Sequence, residues 1–160
     1  LQTVASKNDL AHVGIVHLSL QTDYGLRILM LLASADRQMS VDEIARSYGI
    51  SRNHLVKVVH NLASLGYIHS TRGKGGGLSL ARAPELINIG DVVRHTEVNF
   101  NIVECFDGKH NRCPITAMCR LKGVLSDAAE AFLHVLDGYT LADVLKNEHK
   151  LEVTLKLVRR

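Results

Sequence analysis

Tryptophan is absent from this 160-residue chain, and aromatic residues make up only 4% of it. A buried core therefore has to be assembled mostly from Leu, Val, Ile and Ala. No apolar run approaches the roughly 18 residues that a membrane-crossing helix requires. The opening residues, LQTVASKNDLAHVGIVH, carry Lys7 and Asp9 and no sustained apolar stretch, which argues against a signal peptide. The expected compartment is cytoplasmic, where thiols stay reduced. Internal repeats are lacking, as are low-complexity tracts other than one glycine run. That run, GKGGGL, lacks the Gly-Lys-Ser/Thr that opens a P-loop helix, and it lacks the spacing of a dinucleotide fingerprint. No acid/base pair or second cofactor motif suggests an enzyme. There is also no fourth cysteine: the chain has three, Cys105, Cys113 and Cys119, and an odd number cannot all pair within one chain.

The remaining composition is ordinary for a globular protein, at 46% hydrophobic and 22% charged, with a net charge of +3. The mild basic excess permits an acidic partner without proving one. Residues 1–17 show no clear period and read as a weakly ordered extension. Helical spacing begins at TDYGLRILMLLASAD, where Thr22 is a candidate cap, Asp23 suits the helix dipole, and Leu26, Leu29, Met30 and Ala33 line one face. Gly25 weakens the first turn. Ser40 and Glu43 have capping-box spacing before a short helix that Gly49 stops, and Ser51 opens a second helix with Leu55, Val58, Val59, Leu62 and Leu65 on one side until Gly66.

Helix, tight glycine turn, helix, over about residues 42–65, is the pattern of a helix-turn-helix. A hairpin is expected next, over about residues 67–80, with Gly73, Gly75, Gly76 and Gly77 at its reversal. Pro84 breaks the chain before a further short helix in INIGDVVRHTE. The fold expected is mainly α: a winged helix-turn-helix over residues 18–97 with a two-stranded wing. A cysteine loop follows at 98–119, a long helix and a short one at 120–145, and a tail at 146–160. In the long helix, Leu121, Ala128 and Val135 are seven apart, as are Val124 and Ala131, making a narrow seam of coiled-coil type.

Two constellations carry chemistry. The second helix of the pair starts with Arg52, Asn53 and His54, with Lys57 one turn on. Arg forks onto guanine and Asn onto adenine in the major groove. On the wing, Arg72 and Lys74 sit where a hairpin would meet the neighbouring DNA backbone or minor groove, and glycines such as Gly75 and Gly76 let backbone N–H groups come close to phosphate. Ser40 and Ser51, at the helix starts, complete the candidate DNA contacts to a double-stranded operator. The ordinary reading of such residues is a solvated helix face; their order along the chain favours DNA.

The second constellation is the spacing Cys105-x₇-Cys113-x₅-Cys119 on a polar loop. Free structural thiols, one disulfide plus a free thiol, zinc held with His110, and an iron–sulfur cluster with a non-cysteine fourth ligand all compete. The cluster is preferred, because a weakly held fourth ligand leaves one iron open to small molecules, which suits a sensor.

The stretches TDYGLRILMLLA, YGISRNHLVKVVHNLASLGYI, TRGKGGGLSL, INIGDVVR, NIVECFD and VLDGYTLADVL, together with the cysteine loop, resemble a bacterial family of winged-helix regulators that carry iron–sulfur clusters. The resemblance runs from about Leu18 to about Leu145, and the cysteine spacing is similar to that of the family's nitric-oxide-sensing repressors. It implies a homodimer crossing through the 120–136 helix, and a [4Fe–4S] or [2Fe–2S] cluster on Cys105, Cys113 and Cys119. In some members the fourth ligand is a carboxylate near the start of the first helix of the other subunit, which places Asp23 as candidate; its plain alternative is a helix-dipole partner. The function implied is repression released by nitric oxide. An iron- or cluster-status sensor, and a zinc-stabilised winged-helix regulator, are the alternatives.

Overall fold

A computed structural model describes residues 17–35, 37–73 and 75–146. The two ends, including nearly all of the expected extension and the tail beyond residue 146, lie outside the described residues, as does Lys74 on the wing. The order of elements is α1 (Leu20–Ala35), α2 (Val41–Tyr48), α3 (Arg52–Ser64), β1 (Ile68–Thr71), β2 (Gly77–Leu80), α4 (Ile89–Thr96), α5 (Arg120–Asp137) and α6 (Leu141–Val144). Single 3₁₀ turns cover Pro84–Leu86, Glu104–Phe106 and Thr116–Met118, so Pro84 opens a turn rather than only breaking the chain.

Helix α1 starts one turn earlier than Thr22 suggests. Ser19 is the capping residue: its hydroxyl accepts from the Thr22 N–H at 3.3 Å and its carbonyl from the Asp23 N–H at 3.0 Å. Thr22 itself is fully buried inside the first turn. The buried side of α1 is also broader than one stripe. Ile28, Leu29, Leu31 and Leu32 are buried, whereas Leu26, Met30 and Ala33 are only partly covered. A helix packed on α3, α4 and β2 has little surface left for water.

The α2–α3 pair follows local chemistry. The Ser40 hydroxyl accepts from the Glu43 N–H at 3.2 Å while the Glu43 carboxylate accepts from the Ser40 N–H at 2.7 Å, closing the capping box. That backbone donor, ahead of the other contacts, holds the Glu43 carboxyl below its ordinary pKa. Gly49 ends α2 in the left-handed region at φ 64°. Ser51 stands at the N-cap of α3, but its side chain makes no capping bond. Leu55, Val58, Val59 and Leu62 turn inward, joining a core with α1, Met39, Ile44, Tyr67, Leu78 and Val92. Each such side chain, fully buried, is worth roughly 1.5–3 kcal/mol.

β1 and β2 pair antiparallel from Ile68 opposite Leu80 to Thr71 opposite Gly77. Met39 adds a backbone bridge to Leu78, docking the root of the wing on the segment before α2. Beyond α4, the chain runs through the cysteine loop into α5. None of the residues of α5 is buried. Its far end is tied down: Asp137 takes both terminal nitrogens of Arg94 on α4, the Nη2–Oδ2 contact being 2.7 Å, and the Asp137 carbonyl accepts from Asn88 Nδ2 at 2.7 Å. The cysteine loop lies along one side of the helix. A cavity of about 380 Å³ is left between Phe100 and Phe106 of that loop and Lys122, Ala129 and Leu133 of α5.

Candidate functional site

The candidate DNA contacts of the helix-turn-helix lie on α3. Because its apolar residues fall on one side, Ser51, Arg52, Asn53, His54, Lys57 and His60 are all exposed on the other. Arg52 is not a loose side chain: its Nε donates to Asp42 on α2 at 2.9 Å, which orients the guanidinium across the helix-turn-helix. Ser40 is more engaged than expected, since its hydroxyl both donates to and accepts from Glu43 within the capping box.

On the wing, Arg72 is exposed beside the reversal. Gly73 and Gly75 have φ of 100° and 84°, the left-handed region that glycine enters without strain. Gly76 has ordinary φ but no room. A Cβ there would lie inside van der Waals contact of the Thr71 carbonyl. The Gly76 N–H bonds the Gly73 carbonyl at 3.0 Å, so it closes the turn. Gly75 lies exposed at the tip.

The three cysteines are all free and half-buried. Two of them belong to the 3₁₀ turns or their ends. Cys105 is central in Glu104–Phe106, and Cys119 ends Thr116–Met118 while standing at the N-cap of α5 without a side-chain capping bond. Cys113 is placed by its neighbours. Its N–H donates to Asn111 Oδ1 at 2.9 Å, and its carbonyl accepts from the Thr116 hydroxyl at 2.8 Å. The loop's other polar groups bond one another. The Asp107 carboxylate accepts from the Lys109 N–H at 2.9 Å and pairs with His110 Nδ1 at 2.7 Å. The His110 contact, then the Lys109 amide, hold the Asp107 carboxyl below the ordinary carboxylate range.

The donor set suits an iron–sulfur cluster: three soft thiols, uncommitted to one another or to any cap, on a loop without regular backbone. Among the described residues no three His, Cys, Asp or Glu side chains are gathered as a single ion requires, with ligand sulfurs about 3.8 Å apart for tetrahedral zinc. A cluster spaces its thiolates more widely, because they bind different irons, but it too needs all three brought around one centre.

Asp23 sits in the first turn of α1, where both of its oxygens are taken by Arg27, Nε at 2.9 Å and Nη2 at 2.8 Å. Arg27 lies against the rings of Tyr24 and Tyr48, 5.9 and 6.0 Å from their centroids. Tyr48 donates to the Arg27 carbonyl at 2.9 Å, and burial pushes its phenol up to about 12. Sequence reading missed Arg27 altogether. The signal was the i, i+4 spacing of Asp23 and Arg27 on one helix face.

With fold and site in place, comparison with known proteins decides the family. The profile of Rrf2, described as iron-dependent transcriptional regulators, matches residues 18–147. The chain belongs to the Rrf2 family. Among curated proteins, the HTH-type transcriptional regulator NsrR of Bacillus subtilis is 51% identical over 139 residues, 85% of this chain and 94% of that protein. NsrR of Bacillus licheniformis is 49% identical over 136 residues, 84% and 95% of the two chains. Among solved structures, CymR, the global cysteine regulator of B. subtilis, superimposes with a TM-score of 0.64 at 28% identity, covering 81% of this chain and 96% of that one. IscR of T. potens gives 0.65 at 29%, covering 84% and 88%. As an Rrf2 protein of winged-helix fold, this chain is a DNA-binding transcriptional regulator and not an enzyme.

Proposed function

We propose that the chain is a repressor released by nitric oxide. Two copies pair through α5, and their α3 helices enter successive major grooves of a palindromic operator, about 34 Å apart. Cys105, Cys113 and Cys119 would hold an iron–sulfur cluster, with Asp23 of the partner subunit as fourth ligand. When bound, such a cluster offers an iron whose carboxylate ligand exchanges readily, and so a point of attack for nitric oxide.

The observation that carries this reading is the position of Cys119. It is the residue immediately before α5, so whatever holds its sulfur also fixes where the helix begins. Cys105 and Cys113, on the same loop, tie that helix start to the segment leaving α4. With all three thiols anchored, the first half of α5 has one setting relative to the winged domain. With the thiols released, the loop keeps its own hydrogen bonds around Glu104, Asp107 and Asn111, and the helix start is free to shift. The Asp137–Arg94 tie at the other end turns that shift into a change in the distance between the two α3 helices. Asp23 would have to exchange at least one of its Arg27 contacts to act as ligand, and the remaining contact would keep the carboxylate aimed.

The test is retardation of the chain's own upstream DNA by full-length protein prepared anaerobically, with wild type compared to Cys113→Ala, each with and without nitric oxide. Wild type is expected to be coloured, to bind, and to lose affinity on nitric oxide by roughly 5–150-fold, the usual span of allosteric coupling. Cys113→Ala is expected to be colourless and to bind as weakly as the treated wild type. A colourless variant that binds like untreated wild type would overturn the reading.

A further inference from the structure

The exposed side of α3 holds one residue that does not belong with the others. Val56 is 42% exposed. Arg52 and Asn53 lie one turn before it, Lys57 beside it and His60 one turn after, and all four are exposed and polar. In sequence Val56 sits in the run LVKVV and looks like core. The helical period separates it: Leu55, Val58 and Val59 go inward and Val56 does not. Valine is a weaker helix former than alanine, and at this place it gains little burial in return. Its position, ringed by the candidate DNA contacts, is what sets it apart from the other exposed apolar side chains.

We propose that Val56 is a specificity-determining residue that packs against the C5-methyl of a thymine in the operator. The proposal rests on the DNA-binding reading and extends it. Seen from the major groove, base edges offer donors, acceptors and one apolar mark, the thymine methyl. Val56 stands between the first-turn residues that reach base edges and the basic residues a turn further on. Its two methyl groups are rigid at χ1, so they present a fixed apolar surface to the groove floor. Arg52, Asn53, Lys57 and His60 around it satisfy phosphates and polar edges but discriminate poorly between thymine and a base that lacks the methyl.

The test starts by selecting binding sites from random-sequence duplex DNA with the full-length, anaerobically prepared chain. Each thymine of the selected site is then replaced by uracil, one position per half-site, which removes the methyl and leaves the pairing intact. Wild type is expected to lose about four-fold in affinity per half-site at one thymine position, the worth of one buried methyl. Val56→Ala is expected to be insensitive to uracil at that position while keeping the wild-type melting temperature. Selection of no sequence at all by the wild type would overturn the DNA-binding reading and this proposal with it. A selected site with no uracil-sensitive thymine, or sensitivity retained in Val56→Ala, would overturn the Val56 assignment alone.

Discussion

At the scale of single residues, two glycines have opposite meanings. Gly25 is buried in α1 with helical backbone, and a Cβ there would sit 3.7 Å from Leu62 Cδ2 and 3.8 Å from Val58 Cγ1, ordinary contact. Gly25→Ala is therefore expected to stabilise the chain by about 0.4–1 kcal/mol, by lowering the entropy of the unfolded state without strain. Gly76 has the rigid Thr71 carbonyl where its Cβ would go. Gly76→Ala is expected to destabilise by about 1–3 kcal/mol, since backbone has to move. Urea denaturation measures both, and a Gly25→Ala midpoint below wild type would show that α1 and α3 cannot accept the methyl.

Among the elements, the junction of α4 with α5 is the one on which signalling would depend. The chain from Ile87 to Leu141 is stitched by Ile89 N–H to Tyr139 carbonyl at 2.9 Å and Leu141 N–H to Ile87 carbonyl at 2.8 Å. The Arg94–Asp137 pair lies beside this stitch, and Gly90 makes room for it, because a Cβ there would occupy the place of the Asp137 carboxylate. The hydrogen bond from Arg94 holds the Asp137 carboxyl below its ordinary value. A depressed carboxyl stabilises the fold above its unfolded pKa of about 3.9 and loses that contribution as pH falls through its folded value. Asp137→Asn is thus expected to melt below wild type at pH 7, with the gap closing as pH drops below about 4. Melting curves between pH 3 and 7 decide it; a gap independent of pH would mean that the asparagine disturbs packing, not charge.

For the whole molecule, the open question is what covers α5. Leu121, Val124, Ala128, Ala131 and Val135 are all exposed along one stripe, with Leu121, Val124 and Val135 each at least 60% exposed. Such a stripe on a helix with few contacts of its own fits pairing of two copies far better than solvent. Val124→Glu is expected to move the chain from a two-chain to a one-chain mass in sedimentation and to abolish cooperative operator binding, while the winged domain stays folded, since Val124 touches none of its core. A variant that still sediments as two chains would place the interface elsewhere.

Much of this protein is written in local sequence. Ser40 with Glu43, Gly49, Gly66 and Thr140 with Asp143 mark element ends because a cap or a left-handed glycine involves only residues within one turn. The helix-turn-helix, the hairpin, the long helix and the cysteine spacing were legible for the same reason, being patterns of period or of near neighbours. Tertiary structure decided the rest. The cap of α1 moved from Thr22 to Ser19 because burial of Thr22 against the core outweighs its use as a cap. Asp137 meets Arg94 across 43 positions, a distance no local rule spans. Val56 is apolar like Leu55, Val58 and Val59 and differs from them in facing outward. Sequence alone determines which groups a segment has; which of them are covered, paired or left to meet DNA depends on how the helices pack, because burial is a property of the whole surface.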